Sequence, residues 1–138
     1  MTIPKIIIDT NIVSYVMRGS PEANVYIAHL QGKLTAISFV TVGELYYGAE
    51  KGNWGKKKRL QLETVLKNYV VIPYDHEIAK QYAKVLVERE RLGRPISFND
   101  AWIAACAIRH DTPLVTHNGK DFESISGLQM ITEKITVE

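Results

Sequence analysis

Five short, nearly uniform apolar runs, separated by stretches of helical periodicity, constrain this chain more than any other feature. They fall at residues 5–8 (KIII), 34–38 (LTAIS), 69–73 (YVVIP), 113–116 (PLVT) and 127–131 (GLQMI). A strand with one wet face alternates apolar and polar side chains. Runs without that alternation belong to strands covered on both faces. Parallel strands need long crossovers, which helices supply, and helical patterns sit in the intervals. Residues 12–18 form a short helix closed by Gly19. Residues 20–32 form a second, with Ser20 as N-cap, Pro21 at the first helical position and Gly32 as the stop. Two more cover 41–52 and 55–68. Another runs from an Asp75 cap to Gly93, with Ile78, Tyr82, Val85 and Leu86 at helical spacing. The last, 97–110, is apolar on nearly every side and therefore central. The expectation is an α/β protein with a buried parallel sheet. No repeat, low-complexity stretch or linker interrupts residues 1–138, so a single domain is expected.

Composition narrows function mainly by exclusion. The chain is 46% hydrophobic and 23% charged, as ordinary globular proteins are. Its longest apolar run, residues 101–108, is far too short for a membrane span. No basic stretch followed by an apolar segment opens the chain, and the single cysteine, Cys106, lies inside apolar sequence. A cytoplasmic protein with a reduced core thiol and no membrane role is expected. Net charge is only +2, but its distribution is uneven: residues 51–60 (KGNWGKKKRL) hold five basic side chains and residues 88–94 (ERERLGR) three arginines. Such clusters either form a solvated helix face or follow a phosphate backbone.

The acids carry the chemistry. In a doubly wound sheet, ligands collect at the carboxyl ends of the strands, where strand order reverses. Asp9 ends the first strand, behind three isoleucines. Glu44 lies six residues past the second strand, in what reads as the first turn of its helix. Asp100 lies in the first turn of the central helix, and Asp121 follows the fourth strand in THNGKDF. Helix capping accounts for each acid taken alone. Thr41 with Glu44 and Ser97 with Asp100 fit the capping box, and Asp9 before Thr10 and Asn11 fits a cap or an Asx turn. Taken together they need more, because carboxylates gathered at one end of a buried sheet repel unless a cation sits among them. All the candidate donors are oxygens, and no Cys or His pair has zinc spacing. That set suits Mg²⁺ or Mn²⁺ and points to metal-assisted hydrolysis of a phosphodiester.

Competing readings have less behind them. Neither G-x-x-x-x-G-K-[ST] nor G-x-G-x-x-G occurs, and no serine has a G-x-S-x-G setting. His29, His76 and His110 are scattered, whereas His117 lies beside the acids. An aspartyl-phosphate phosphatase would also begin with an acid after the first strand, but its pattern places a second acid where this chain has Asn11. A non-catalytic RNA- or protein-binding module, whose acids only cap helices, stays open on these residues.

Read in order, IIIDTNIVSYVMRG, ISFVTVGELYYGAEKG, FNDAWIAACAIRHDTPLVTHNGKDF and GLQMI resemble a PIN-domain ribonuclease of the VapC type, the toxin of a toxin–antitoxin pair. DTN alone is weak. DTN, then TVGELYYG, then N-D-x-x-I-A-A, then L-V-T-x-N-x-x-D-F is specific, and it spans nearly the whole chain. The resemblance implies a three-layer α/β/α sandwich around a parallel sheet of about five strands. It implies that Asp9, Glu44 and Asp100 bind Mg²⁺ or Mn²⁺, with Asp121 as an outer or second-metal ligand and Asn118 as a polar helper. Thr10, Asn11 and Thr116, and with them Ser38, match positions that shape the site by hydrogen bonding. A homodimer, a VapB-type antitoxin that blocks the site, and structured RNA of the transfer or ribosomal class are implied as well. The basic segments then gain a role: Lys56, Lys57, Lys58, Arg59, Arg91 and Arg94 become candidate phosphate contacts, with Trp54 or Tyr46 to stack a base.

Overall fold

Ile6, Ile7 and Ile8 each expose 2% or less of their surface. Successive strand side chains point to opposite faces, so a strand this uniformly buried must be covered on both sides. The computed structural model, which describes residues 3–133, shows the covering. Strands β1 (Lys5–Ile8), β2 (Leu34–Ser38), β3 (Val70–Ile72), β4 (Leu114–Val115) and β5 (Met130–Ile131) form one parallel sheet in the order β3-β2-β1-β4-β5. One face carries α1 (Thr10–Arg18), α2 (Pro21–Leu30), α3 (Phe39–Lys51) and α4 (Lys56–Leu66). The other carries α5 (His76–Arg91) and α6 (Phe98–Arg109). Ile6, Ile8 and Ile37 meet Ile12, Val13, Tyr26 and Leu62 in the first core layer. Ile7, Ala36 and Ile72 meet Ile78, Val85 and the alanine-rich α6 in the second. Each large aliphatic side chain buried this way contributes roughly 1.5–3 kcal/mol. This is the three-layer α/β/α sandwich expected.

Two elements depart from expectation. Helix α3 starts at Phe39, because Ser38 Oγ accepts from both Val40 N (3.0 Å) and Thr41 N (3.3 Å) and caps it. Thr41 is therefore inside the helix and Glu44 in its second turn, which overturns the capping-box reading of that pair. Strand β3 is not doubly covered. It is an edge, with Val70 and Val71 exposed by 47% and 44% and only Ile72 buried. An apolar run reads as covered, but the last strand of a sheet has an open side.

Topology positions the site. The chain builds β1, β2 and β3 outward in one direction, then returns to the far side of β1 for β4 and β5. Strand order thus reverses between β1 and β4, where sheets of this kind place their ligands. Pairing of Ile7 with Leu114 and Ile8 with Val115 sets Asp9 beside Thr116. Among the described residues no helix is long and apolar enough to cross a membrane.

Candidate active site

Asp9 leaves β1 and caps α1. Its Oδ1 accepts from Ile12 N at 3.1 Å, and its Oδ2 accepts from Thr116 Oγ1 at 2.5 Å. The Thr116 hydroxyl accepts in turn from Asn118 N at 3.1 Å, so the turn after β4 is tied to the same carboxylate. Asp9 is 4% exposed, and among the described residues no lysine or arginine pairs with it. Burial raises its carboxyl above the ordinary value. The bonds from Thr116 and Ile12 oppose that rise, Glu44 adds to it and His117 opposes it. Capping is compatible with holding a cation, since a helix N-terminus also orients a carboxylate and favours its charge.

Glu44 projects from α3 toward the start of α1. Thr10 Oγ1 donates to Glu44 Oε1 at 2.7 Å and lies 3.1 Å from Thr41 Oγ1. A hydroxyl has one proton, and the carboxylate holds it at the shorter distance, so Thr41 donates to Thr10. Thr41, wholly buried, thus backs the residue that orients Glu44.

Asp100 opens α6, where Ser97 Oγ accepts from its backbone N–H at 3.2 Å. Its carboxyl is pushed up to about 6, chiefly by burial; the Ser97 side chain beside the carboxyl opposes the rise, and Asp121, Glu44 and Asp9 add to it. The four acids therefore share one electrostatic neighbourhood. Asp121 is exposed, on the 3₁₀ turn Gly119–Phe122. Among the described residues no three His, Cys, Asp or Glu side chains close into a ready cation cage. Mg²⁺ commonly keeps several waters and takes one or two carboxylates plus phosphate oxygens, so an open set of hard donors fits it in kind. A buried carboxylate without a cationic partner, beside like charges, is a donor set short of positive charge.

The supporting residues divide. Thr10 and Thr116 touch the acids directly, and Ser38 acts through the start of α3. Asn118 contributes its backbone N–H. Asn11 is exposed and joins none of these bonds among the described residues. A cavity of about 1140 Å³ lies between α5 and residues 122–130, and none of the four acids lines it.

The PIN domain family profile matches residues 6–128. The chain belongs to the PIN-domain family. Ribonuclease VapC2 of Haemophilus influenzae is 31% identical over 125 residues, spanning 91% of this chain and 95% of that protein. The tRNA(fMet)-specific endonuclease VapC of Shigella flexneri is 33% identical over 126 residues, with spans of 91% and 95%. VapBC2 from Rickettsia felis, solved bound to a DNA fragment from their promoter, matches with a TM-score of 0.83 at 27% identity, over 94% of this chain and 99% of that one. Within its family this PIN domain is of the VapC type.

The basic residues of this PIN domain fall into two groups. Lys56, Lys57 and Lys58 are exposed in the first turn of α4, whose Gly55 cap offers no side-chain bond. Positive charge there opposes the helix macrodipole, so the lysines are not serving the helix. Arg91 is exposed as well. Arg59 is already engaged, donating to Trp54 O at 2.8 Å and Glu50 Oε1 at 2.6 Å, and Arg94 pairs with Glu123 at 2.9 Å. Trp54 packs against the first core layer beneath Lys58, whereas Tyr46 is exposed. His117 Nδ1 lies 2.7 Å from Tyr26 Oη, and its ring is edge-on to Tyr15 and Tyr26.

Arg89 escaped the sequence reading. It is 4% exposed and donates from Nε to Arg94 O (2.7 Å) and from Nη1 to Asp121 O (2.9 Å) and Glu123 O (3.0 Å). Its signal was present: Ile78, Tyr82, Val85 and Arg89 recur at helical spacing, so Arg89 continues the inward stripe of α5.

Proposed function

We propose that this chain is a Mg²⁺- or Mn²⁺-dependent endoribonuclease, the toxin of a toxin–antitoxin pair, cutting phosphodiester bonds in structured RNA of the transfer or ribosomal class. The observation that carries this reading is the Asp9 carboxylate. It is buried, fixed by two hydrogen bonds, unpaired with any cation among the described residues, and within the fields linking Glu44 and Asp100. A module whose acids only capped helices would have no use for Glu44 in this company. A phosphatase is less well served too, since both Asp9 oxygens are already hydrogen-bonded and the second-acid position is the exposed Asn11. Relatives named as a ribonuclease and a tRNA-specific endonuclease support the activity class, and the VapBC2 assembly supports a VapB-type antitoxin partner. A homodimer in the cytoplasm belongs to the same reading.

Asp9, Glu44 and Asp100 would hold the ion, with Asp121 at the outer edge. A bound divalent ion supplies positive charge at a phosphate oxygen and an acidified water to attack phosphorus. Thr116 and the Ile12 N–H orient Asp9. Thr10, backed by Thr41, orients Glu44. Asp100, whose carboxyl is pushed up to about 6, is ionised for a cation above that pH and competes with it through a proton below. Lys56, Lys57, Lys58 and Arg91 would contact phosphates, which positions RNA without reading its sequence. Induced expression with transcriptome-wide mapping of new 5′ ends tests the reading, with Asp9→Asn as the control. Discrete new ends in one RNA class, seen only with the wild-type protein, are expected. Identical ends in both cultures would count against it.

A further inference from the structure

Among the described residues two charged side chains are buried, Asp9 and Arg89. The first belongs to the site, and the second has so far no role. A guanidinium leaves water at a high energetic cost unless protein atoms replace its hydrogen bonds. A leucine at position 89 would complete the apolar stripe of α5 without that cost, so the reason for arginine lies in its partners.

All three are main-chain carbonyls. Nε donates to Arg94 O, and Nη1 donates to Asp121 O and Glu123 O. Arg94 N returns a bond to Arg89 O at 3.0 Å, and Arg94 Nη2 reaches Glu123 Oε2 at 2.9 Å. The C-terminal end of α5 therefore holds two chain segments at once. One leads from Arg94 to Ser97, the cap of α6, and so into Asp100. The other is the 3₁₀ turn that carries Asp121, pinned also by Asp121 N to Asn118 O at 3.0 Å and by the buried Phe122. Bonds to carbonyls fix where backbone goes. The planar fork sends these bonds from two nitrogens held in a fixed geometry, whereas a lysine carries its three donors on one freely rotating nitrogen.

We propose that Arg89 is a positioning residue of the site: its guanidinium sets the separation between the start of α6, bearing Asp100, and the turn bearing Asp121. This rests on the nuclease reading above. It predicts that loosening the fork spoils how these acids share a cation, not merely the stability of the fold.

The test uses the full chain. Arg89→Lys keeps charge and stem, and Arg89→Met keeps the stem with no charge to bury. Val65→Ala, in α4 against the opposite core layer, controls for general destabilisation. Three readouts are taken well below each melting temperature. They are Mn²⁺ binding to RNA-free protein by electron paramagnetic resonance, hydrogen exchange of residues 119–126, and cleavage kinetics over a range of RNA concentrations. Both Arg89 variants should lose protection at 119–126, bind Mn²⁺ about 10–100-fold more weakly, and lower kcat rather than raise KM. Val65→Ala should do none of these. The proposal is overturned if the Arg89 variants bind Mn²⁺ within about two-fold of wild type with kcat intact, or if Val65→Ala shows the same losses. If the wild-type protein neither binds Mn²⁺ nor cleaves RNA, the nuclease reading falls and this inference with it. If the wild-type protein binds Mn²⁺ and cleaves RNA and the Arg89 variants match it, this inference alone falls.

Discussion

Replacing Asp9 by Asn should leave the metal-free protein about as stable as before while removing all stabilisation by Mn²⁺. Asn caps a helix as well as Asp does, so the bond from Ile12 N survives. On the other side an amide nitrogen replaces Oδ2. Thr116 Oγ1 can accept from it, but the threonine proton loses its acceptor, a loss of about 1.5–3 kcal/mol for a bond to a charged group. Against that stands relief from burying an unpaired charge in the field of Glu44, the effect that raises the Asp9 carboxyl in the first place. The two oppose each other, so the net change is smaller than the lost bond alone, and each 1 kcal/mol of it is worth roughly 3–5 °C for a chain of this length.

Metal behaves differently. At about 100 times its Kd, an ion bound only by the native state adds about 2.7 kcal/mol, or roughly 10 °C. Thermal unfolding followed by circular dichroism, with chelator and then with excess Mn²⁺, separates the terms. Wild type should melt roughly 10 °C higher with metal and Asp9→Asn should not move. The reasoning is refuted if Asp9→Asn melts far lower than wild type in chelator, which would make Asp9 a structural acid. An equal rise with Mn²⁺ in both proteins would refute it as well.

Three further outcomes follow from the geometry. Asp100 titrates near 6 in the fold against an ordinary 3.8, so the folded state holds its proton more tightly. The stability it contributes is full below about pH 4 and is lost as pH rises through about 6. Urea melts across this range in chelator should show that slope in wild type and not in Asp100→Asn, and Mn²⁺ affinity should fall as pH drops below 6. Thr116→Val removes the donor to Asp9 and the acceptor for Asn118 N, so quenched-flow cleavage should slow about 10–100-fold, with about 1–3 kcal/mol lost in denaturant melts. Lys56→Ala with Lys57→Ala should weaken RNA binding and flatten its salt dependence by about 0.7 in log–log slope per lost contact, measured by anisotropy on the Asp9→Asn background. Thermal stability should hold or rise, because the macrodipole no longer meets that charge.

Much of this was legible in the sequence. Ile6, Ile7 and Ile8 announced a strand covered on both faces, and Asp9 behind them marked the carboxyl end of that strand. Asp100 in apolar company announced its raised carboxyl. What failed did so for physical reasons. The Thr41 and Glu44 spacing imitates a capping box, but Ser38 caps α3 first, and Thr41 instead serves Thr10, which lies 31 residues away in sequence. No local pattern records a pairing that only the fold creates. The edge position of β3 is a property of strand order, which the YVVIP run does not encode. Arg59 and Arg94 looked free as charges in a list and are held by Glu50 and Glu123. Arg89 was hidden in the opposite way, by lying among charges that truly face water.

The central claim is that these acids hold a cation that cuts RNA. End-group analysis of purified transfer and ribosomal RNA, incubated with the protein and Mg²⁺ or Mn²⁺, tests it most directly. The account predicts discrete fragments with 5′-phosphate and 3′-hydroxyl ends, lost with chelator and with Asp9→Asn. Fragments ending in a 2′,3′-cyclic phosphate, or cleavage that persists through both treatments, would contradict it.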